Sequence, residues 1–416
     1  MSKLIVEGGA RLQGTVGVLG AKNAVLKEMV SALLAPGRHS LSNVPSILDV
    51  DLMCRVLEHM GCHVERVDHE IWLVVPDELD PVAPIELVRQ MRASIVVLGP
   101  LLARCGEARV ALPGGDDLGA RPIDFHLHGL EAMGAEFDLV HGELVGRVDG
   151  RFKGTEVELP FPSVGATENL LFAGVLAEGE TVIVNAAREP EIQDLVKQLT
   201  EMGAVITGAG SSLITIDGVD RLEPVQHQVL PDRLEAGTFA AAAAITAGDV
   251  TVTGCVTEHL RMELAKLEQT GCEVDRGEGW LRVRGPERPA PVDFATLPFP
   301  GFHTDMHPQM VALLSVANGT SVITENLYDA RFRYIGELAR MGADISTEAQ
   351  HAIIRGVDRL SGCPVLAPDI RAGAALVLAG LRAEGTTEVS DAEHIDRGYE
   401  DFSGRLSALG ARVEGQ

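Results

Sequence analysis

Residues 175–208 read VLAEGETVIVNAAREPEIQDLVKQLTEMGAVITG, and the order of patterns in this stretch sets the fold. A small-residue run ends at Gly179. The β-branched stretch TVIVN follows, at strand length. IQDLVKQLTEM then places apolar residues at helical spacing with charges between them, the mark of an amphipathic helix. Gly203 stops that helix and a strand closes the unit. Five further stretches repeat the order. The first glycines are Gly37, Gly106, Gly179, Gly248, Gly319 and Gly385; the second are Gly61, Gly134, Gly203, Gly271, Gly342 and Gly410. The period of about 70 residues exceeds that of solenoid repeats, so each copy is a folded subunit of a larger domain.

An apolar stretch precedes each first glycine: NAVLKEMVSALLA, ASIVVLGPLLA, TENLLFAGVLA, LEAGTFAAAAAITA, MVALLSVA and GAALVLAGLRA. Helices apolar nearly all round are buried ones. Buried helices inside, with strands and amphipathic helices outside, predict a two-lobed inside-out α/β barrel of six pseudo-symmetric repeats, three per lobe. The expected first lobe is 22–230, with a mobile loop near 112–124; the second is 1–21 plus 231–416. LIVEGG near the N-terminus has no full copy ahead of it, so it is expected to pair in the second lobe. The chain then crosses twice, and two such lobes can close like a clamp.

Composition narrows the function. The 416 residues are 46% hydrophobic but only 4% aromatic, so the core rests on Ala, Val, Leu and Ile. A net charge of −25 argues against a general nucleic-acid or anionic-membrane binder, which needs a basic face. A local basic cluster for a small anion remains compatible with it. No apolar run reaches membrane-span length, and the N-terminal residues lack a signal peptide's apolar core. The six cysteines form no close CxxC pair, so they read as small residues in a reducing cytoplasm. P-loop, Rossmann, HExxH and GxSxG patterns are absent. The pair His303 and His307 is weak evidence for a metal.

Each buried helix nevertheless begins with polar groups: Lys22 and Asn23; Arg92; Ser163, Gly165 and Thr167; Asp232 and Arg233; Asp305; Arg371. Pseudo-symmetry would make these N-termini converge, where unpaired N–H groups suit anions. Polar loops follow the strands, with Asp116, Arg121, Asp124 and His126 in the second copy, Arg188, Glu189 and Glu191 in the third, Arg331 in the fifth, and Asp396 and Arg397 in the sixth. Lys22, Arg92, Arg121, Arg331, Arg371 and Arg397 together fit a substrate with phosphates and a carboxylate, which arginine forks grip bidentately. Plainer roles stand beside this one. Asp232 and Asp305 can be helix N-caps, Glu189 and Glu191 can pair with Arg188, and Arg233, Arg188 and His126 read as structural.

In combination, GAKNA (20–24), MRAS (91–94), LPGGDDLGARPID (112–124), SVGATEN (163–169), NAAREPEI (185–192), PDR (231–233), TDM (304–306), EN…ARF (325–332), DIRAGA (369–374) and HIDRGYE (394–400) resemble the UDP-N-acetylglucosamine enolpyruvyl transferases along the whole chain. The resemblance implies transfer of the enolpyruvyl group of phosphoenolpyruvate to the sugar 3-hydroxyl, by addition and elimination, with no cofactor and no metal. It implies that Asp305 receives the hydroxyl proton and that Asp116 donates one. Lys22, Arg121 and Arg397 meet the phosphate of phosphoenolpyruvate, while Arg331 and Arg371 meet its carboxylate. Asn23 contacts the sugar and Arg92 lines the same cleft. Ser163 and Gly165 meet the diphosphate. Arg121, Pro122, Ile123 and Asp124 form the uridine platform, and Leu327 is a further substrate contact. Many family members carry Cys where this chain has Asp116, which implies resistance to the thiol-alkylating antibiotic fosfomycin. Phe161 and His303 stand where some members carry Lys and Pro. The other readings are a paralogue acting on another nucleotide such as UMP, and a non-catalytic sugar-nucleotide sensor.

Overall fold

The computed structural model describes residues 2–114, 118–119 and 122–416. Asp116 and Arg121 lie outside the described residues. Two compact bodies share the chain: Gly20–Gly115 with Arg121–Leu230, and Met1–Leu19 with Asp116–Ala120 and Pro231–Gln416. Each has its own apolar core. The stretch 112–124 does not belong wholly to the first body, where the sequence puts it. Leu118 is buried in the second, and its carbonyl accepts from the Ala330 N–H at 3.3 Å.

The described residues form six four-stranded sheets of one plan. In the third repeat Glu180–Val184, after the first glycine, pairs parallel with the short edge strand Glu156–Glu158 and antiparallel with Leu213–Asp217, which in turn pairs with Val205–Thr207. In the second, third, fifth and sixth repeats the parallel edge strand comes from the stretch just ahead of that repeat; the first and fourth repeats exchange theirs. Gln226–Gln228 supplies the first, pairing parallel with Gly37–Ser42. Gln13–Gly17 supplies the fourth, pairing parallel with Asp249–Thr253. Lys3–Glu7 lies between Thr386–Ser390 and Arg412–Gly415 in the sixth sheet. Strands distant in sequence therefore complete the sheets of each body.

The apolar helices are inside. All 13 residues of Arg233–Ile245 are buried, and so are all eight of His307–Leu314. With Ile370–Arg382 they pack on one another in all three pairings. In the other body Lys22–Ser31, Leu98–Cys105 and Val164–Gly174 take this place, the second entered through the 3-10 turn Arg92–Val97. No helix among the described residues is long and apolar enough to cross a membrane.

The second glycine of every repeat sits just past its amphipathic helix at a φ between 92° and 105°. Gly342 isolates this conformational demand, because an added Cβ there would meet nothing within 4 Å. Gly342→Val should therefore cost about 1–2 kcal/mol from the left-handed backbone alone. Urea unfolding measures this, and an unchanged midpoint would show that the backbone relaxes there.

Candidate active site

The second body gathers its polar residues at the starts of its three buried helices. Asp232 caps Arg233–Ile245, accepting from the N–H groups of Leu234 (2.7 Å) and Glu235 (3.0 Å). Asp369 caps Ile370–Arg382 in the same way, at 2.9 Å from the N–H groups of both Arg371 and Ala372. Asp305 breaks the pattern. The third helix, His307–Leu314, is entered through the 3-10 turn Thr304–Met306, and that turn is capped by His303, whose Nδ1 accepts from the Asp305 N–H at 2.9 Å. The Asp305 carboxylate is thus free of the capping role that the sequence allowed it.

Two guanidinium groups hold that carboxylate. Arg331 Nη2 is 3.1 Å from Asp305 Oδ1 and Arg371 Nε is 3.2 Å from Oδ2. Both arginines are almost fully buried. Arg331 also donates twice to the Thr304 carbonyl, and Arg371 lies 5.1 Å over the Tyr399 ring. Burial works against the charge on Asp305, but Arg371 and Arg331 outweigh it and hold the carboxyl well below the usual carboxylate range. Arg371 Nη1 is buried without a hydrogen-bond partner. An unfilled guanidinium donor beside an ion pair is suited to an incoming anionic oxygen.

Neighbouring groups fix this cluster. Buried Glu325 accepts from Thr304 Oγ1, Thr296 Oγ1 and the Leu327 N–H, which ties the Leu327 segment to the Asp305 turn. Tyr399 Oη shares a hydrogen bond with Thr238 Oγ1 at 2.9 Å. The half-buried Arg397 follows the short helix Glu393–Asp396, two residues before Tyr399. His307 is buried with its Nδ1 3.1 Å from Tyr334 Oη. Both histidines of HTDMH thus use Nδ1 in the packing around Asp305.

The first body holds the other predicted residues. Lys22, first in its helix, is buried and pairs with Asp49 at 2.8 Å. The Asn23 carbonyl accepts from Lys27 Nζ, and Lys27 pairs with buried Glu168 at 3.2 Å. Burial pushes Glu168 up to about 7, against the pull of Lys27. Ser163 caps Val164–Gly174 through the Ala166 N–H. A Cβ on Gly165 would stand 2.8 Å from the His126 ring, so the bare backbone lets that ring pack against the helix start. His126 shares a hydrogen bond with Asn169 at 2.8 Å. Burial, then the nearby Arg92 charge, lowers its pKa to about 4, which keeps it neutral and structural. Arg92 donates to the Pro122 carbonyl at 3.2 Å. Ile123 precedes Asp124, the exposed first residue of Asp124–Ala132.

Sequence reasoning missed Asp49, Asp369 and Thr304. Asp369 stood in the quoted DIRAGA motif and carried a capping signal. Thr304 stood in the quoted TDM motif, but the bare carbonyl it contributes leaves no pattern; Asp49 gave no signal, since its pairing partner is distant in sequence. Glu189 and Glu191 were read as partners of Arg188. Both are buried, and their charges raise the pKa of Glu168.

The profile of the EPSP synthase family (3-phosphoshikimate 1-carboxyvinyltransferase) matches residues 6–406. A UDP-N-acetylglucosamine 1-carboxyvinyltransferase of Corynebacterium jeikeium is 54% identical over 410 residues, 99% of this chain and 98% of the relative. One from Mycobacterium tuberculosis is 52% identical over 412 residues, again 99% and 98%. The crystal structure of the enolpyruvyl transferase NikO from Streptomyces tendae has a TM-score of 0.91 at 24% identity, covering 100% of this chain and 99% of that one. That likeness speaks for the fold alone. Fold and matched sequence define an enolpyruvyl transferase. The chain belongs to the EPSP synthase family, and the relatives that match it at more than half of all positions are the UDP-N-acetylglucosamine 1-carboxyvinyltransferases.

Because the folded-state pKa of Asp305 is depressed, the stability its charge contributes is complete above the unfolded value of ~3.9 and fades as pH falls toward the folded value. Urea unfolding of wild type and Asp305→Asn should differ by a constant amount from ~pH 8 to 5 and converge below ~pH 4. A gap that stays flat through pH 3 would contradict the two-arginine clamp.

Proposed function

We propose that this enzyme transfers the enolpyruvyl group of phosphoenolpyruvate to the 3-hydroxyl of UDP-N-acetylglucosamine, releasing phosphate, and so opens peptidoglycan synthesis in the cytoplasm. The observation that carries the reading is the Asp305 carboxylate held between Arg331 and Arg371, with one Arg371 donor unfilled, in a chain 54% identical to a transferase of that name.

In the addition step a bond forms between the sugar oxygen and C2 of phosphoenolpyruvate, while C3 takes a proton. Asp305 receives the hydroxyl proton and Asp116 delivers one to C3. Elimination then breaks the C2–O bond to phosphate and returns a C3 proton to the protein. Lys22, Arg121 and Arg397 meet the phosphate; Arg331 and Arg371 meet the carboxylate. Asn23, Arg92 and Leu327 contact the acceptor, Ser163 and Gly165 its diphosphate, and Pro122, Ile123 and Asp124 its uridine.

Asp305 in its clamp is a weak base. A substrate carboxylate that takes hydrogen bonds from Arg371 and Arg331 weakens their hold, and the pKa of Asp305 then rises toward what proton abstraction needs. Base strength is in this way tied to occupancy of the phosphoenolpyruvate subsite.

Phosphate release should require phosphoenolpyruvate together with UDP-N-acetylglucosamine. Release with UMP instead would move the enzyme to another acceptor, and silence with both would favour a sensor. Asp305→Ala should lower kcat by about 10²–10⁴, the range for a lost general base; near-normal turnover would remove Asp305 from the mechanism. A carboxylate at position 116 lacks a thiolate's nucleophilicity. Intact-mass analysis should accordingly find no fosfomycin adduct on wild type and one on Asp116→Cys. Labelling of wild type would contradict this reading.

A further inference from the structure

A second buried polar cluster lies within the first body, built on residues that the transfer reaction does not use. Glu28 comes from the buried helix Lys22–Ser31, Asp194 from Pro190–Glu201 and His227 from the edge strand Gln226–Gln228. One ligand atom of each lies within 4.8 Å of the others. His227 Nε2 is 3.4 Å from Asp194 Oδ1 and 3.8 Å from Glu28 Oε1.

Three observations point to a cation here. Glu28 is fully buried, and neither of its carboxylate oxygens has a hydrogen-bond partner. His227 Nε2, facing the same point, has none either. A buried carboxylate without donors is costly unless a positive charge is supplied. The nearby lysines do not serve it: Lys27 is taken by Glu168 at 3.2 Å, and Lys197 is largely exposed, 3.9 Å from Glu201, which leaves the positive charge to a protonated His227 or to a bound ion. Finally, the other ring nitrogen of His227, Nδ1, is 2.7 Å from Glu201 Oε2. A carboxylate behind the imidazole that fixes which nitrogen points inward is the usual support of a metal-bound histidine.

We propose that Glu28, Asp194 and His227 bind one divalent transition-metal ion of the zinc class. Four-coordinate zinc with bonds of about 2.0–2.1 Å sets neighbouring ligand atoms about 3.3 Å apart. The two spacings from His227, 3.4 and 3.8 Å, exceed that by about half an ångström or less, and all three ligand atoms lie within 4.8 Å of one another. The two ligand carboxylates, a neutral imidazole and a divalent ion sum to zero charge, with the Glu201 carboxylate behind the imidazole outside that sum. The supports are rigid. Ser31 Oγ donates to Gln198 Oε1 at 2.7 Å, and Gln198 Nε2 donates to the Glu28 carbonyl at 3.1 Å, which locks the first two elements together. Asp194 Oδ2 accepts from the Leu230 N–H at 2.8 Å.

The ion would staple the helix bearing Lys22 and Asn23 to the strand that ends the first body. The test uses the full-length protein stripped with EDTA, then dialysed against buffered micromolar zinc chloride and analysed for metal. One zinc per chain is expected, and cobalt(II) substitution should give the intense visible bands of a four-coordinate site. Glu28→Gln and His227→Gln should each lose at least tenfold in affinity. Glu201→Gln, which leaves all three ligands in place, should lose about 10–100-fold and remains informative where a ligand variant folds poorly. Less than stoichiometric zinc on the wild type, or zinc held equally well by Glu28→Gln and Glu201→Gln, overturns the proposal.

Discussion

A helix that is apolar on every side has only its ends for polar chemistry. That constraint organises both bodies. With aromatic residues at 4%, the core is built from helices of Ala, Leu and Val packed on one another, and Arg233–Ile245 is buried at every position. The first turn of such a helix has N–H groups with no intrahelical partner, and polar side chains at the start can meet them. Asp232, Asp369 and Ser163 do this work directly, and His303 does it for the turn that carries Asp305. In the second body the three capped starts share one electrostatic neighbourhood, since Asp305 and Asp232 both stabilise the charge on Arg371.

Buried charges of this kind hold only as a set. Removing one partner of a buried pair leaves the other without compensation, typically at a cost of about 3–5 kcal/mol. Arg331 and Arg371 are anchored in addition to their pairing with Asp305, the first by the Thr304 carbonyl and the second by the Tyr399 ring. Catalysis gains from this rigidity, because donors already in place need not reorganise when charge develops in the transition state.

The repeat was legible because its signals are local: a glycine that must adopt positive φ, a β-branched run and an amphipathic helix. The strands that close each body were harder to read. Val82–Ala83 and Phe294–Ala295 are two residues long, too short for any periodicity, and nothing local in Gln226–Gln228 points to its distant partner Gly37–Ser42. Asp305 stood out as polar at a buried helix start, yet sequence could not separate a cap from a free carboxylate. That distinction depends on the His303 ring, two residues earlier. Glu28 was hidden inside NAVLKEMVSALLA, taken as apolar nearly all round. Its charge on a core face was the signal, and it becomes meaningful only once Asp194 and His227 are seen beside it.

The two buried clusters follow one rule with opposite sign. Counting charges does not identify the ligand, because carboxylates are abundant in both. The atom left without a partner does. Around Asp305 it is a guanidinium donor, Arg371 Nη1; around His227 it is a carboxylate, Glu28, together with an imidazole nitrogen. A buried donor without an acceptor is stabilised by an anion, and a buried pair of acceptors by a cation or a proton. The same scaffold, which forces polar groups into a few places within an apolar core, thus leaves an unfilled donor at a helix start in one body and unfilled acceptors deeper along a helix in the other.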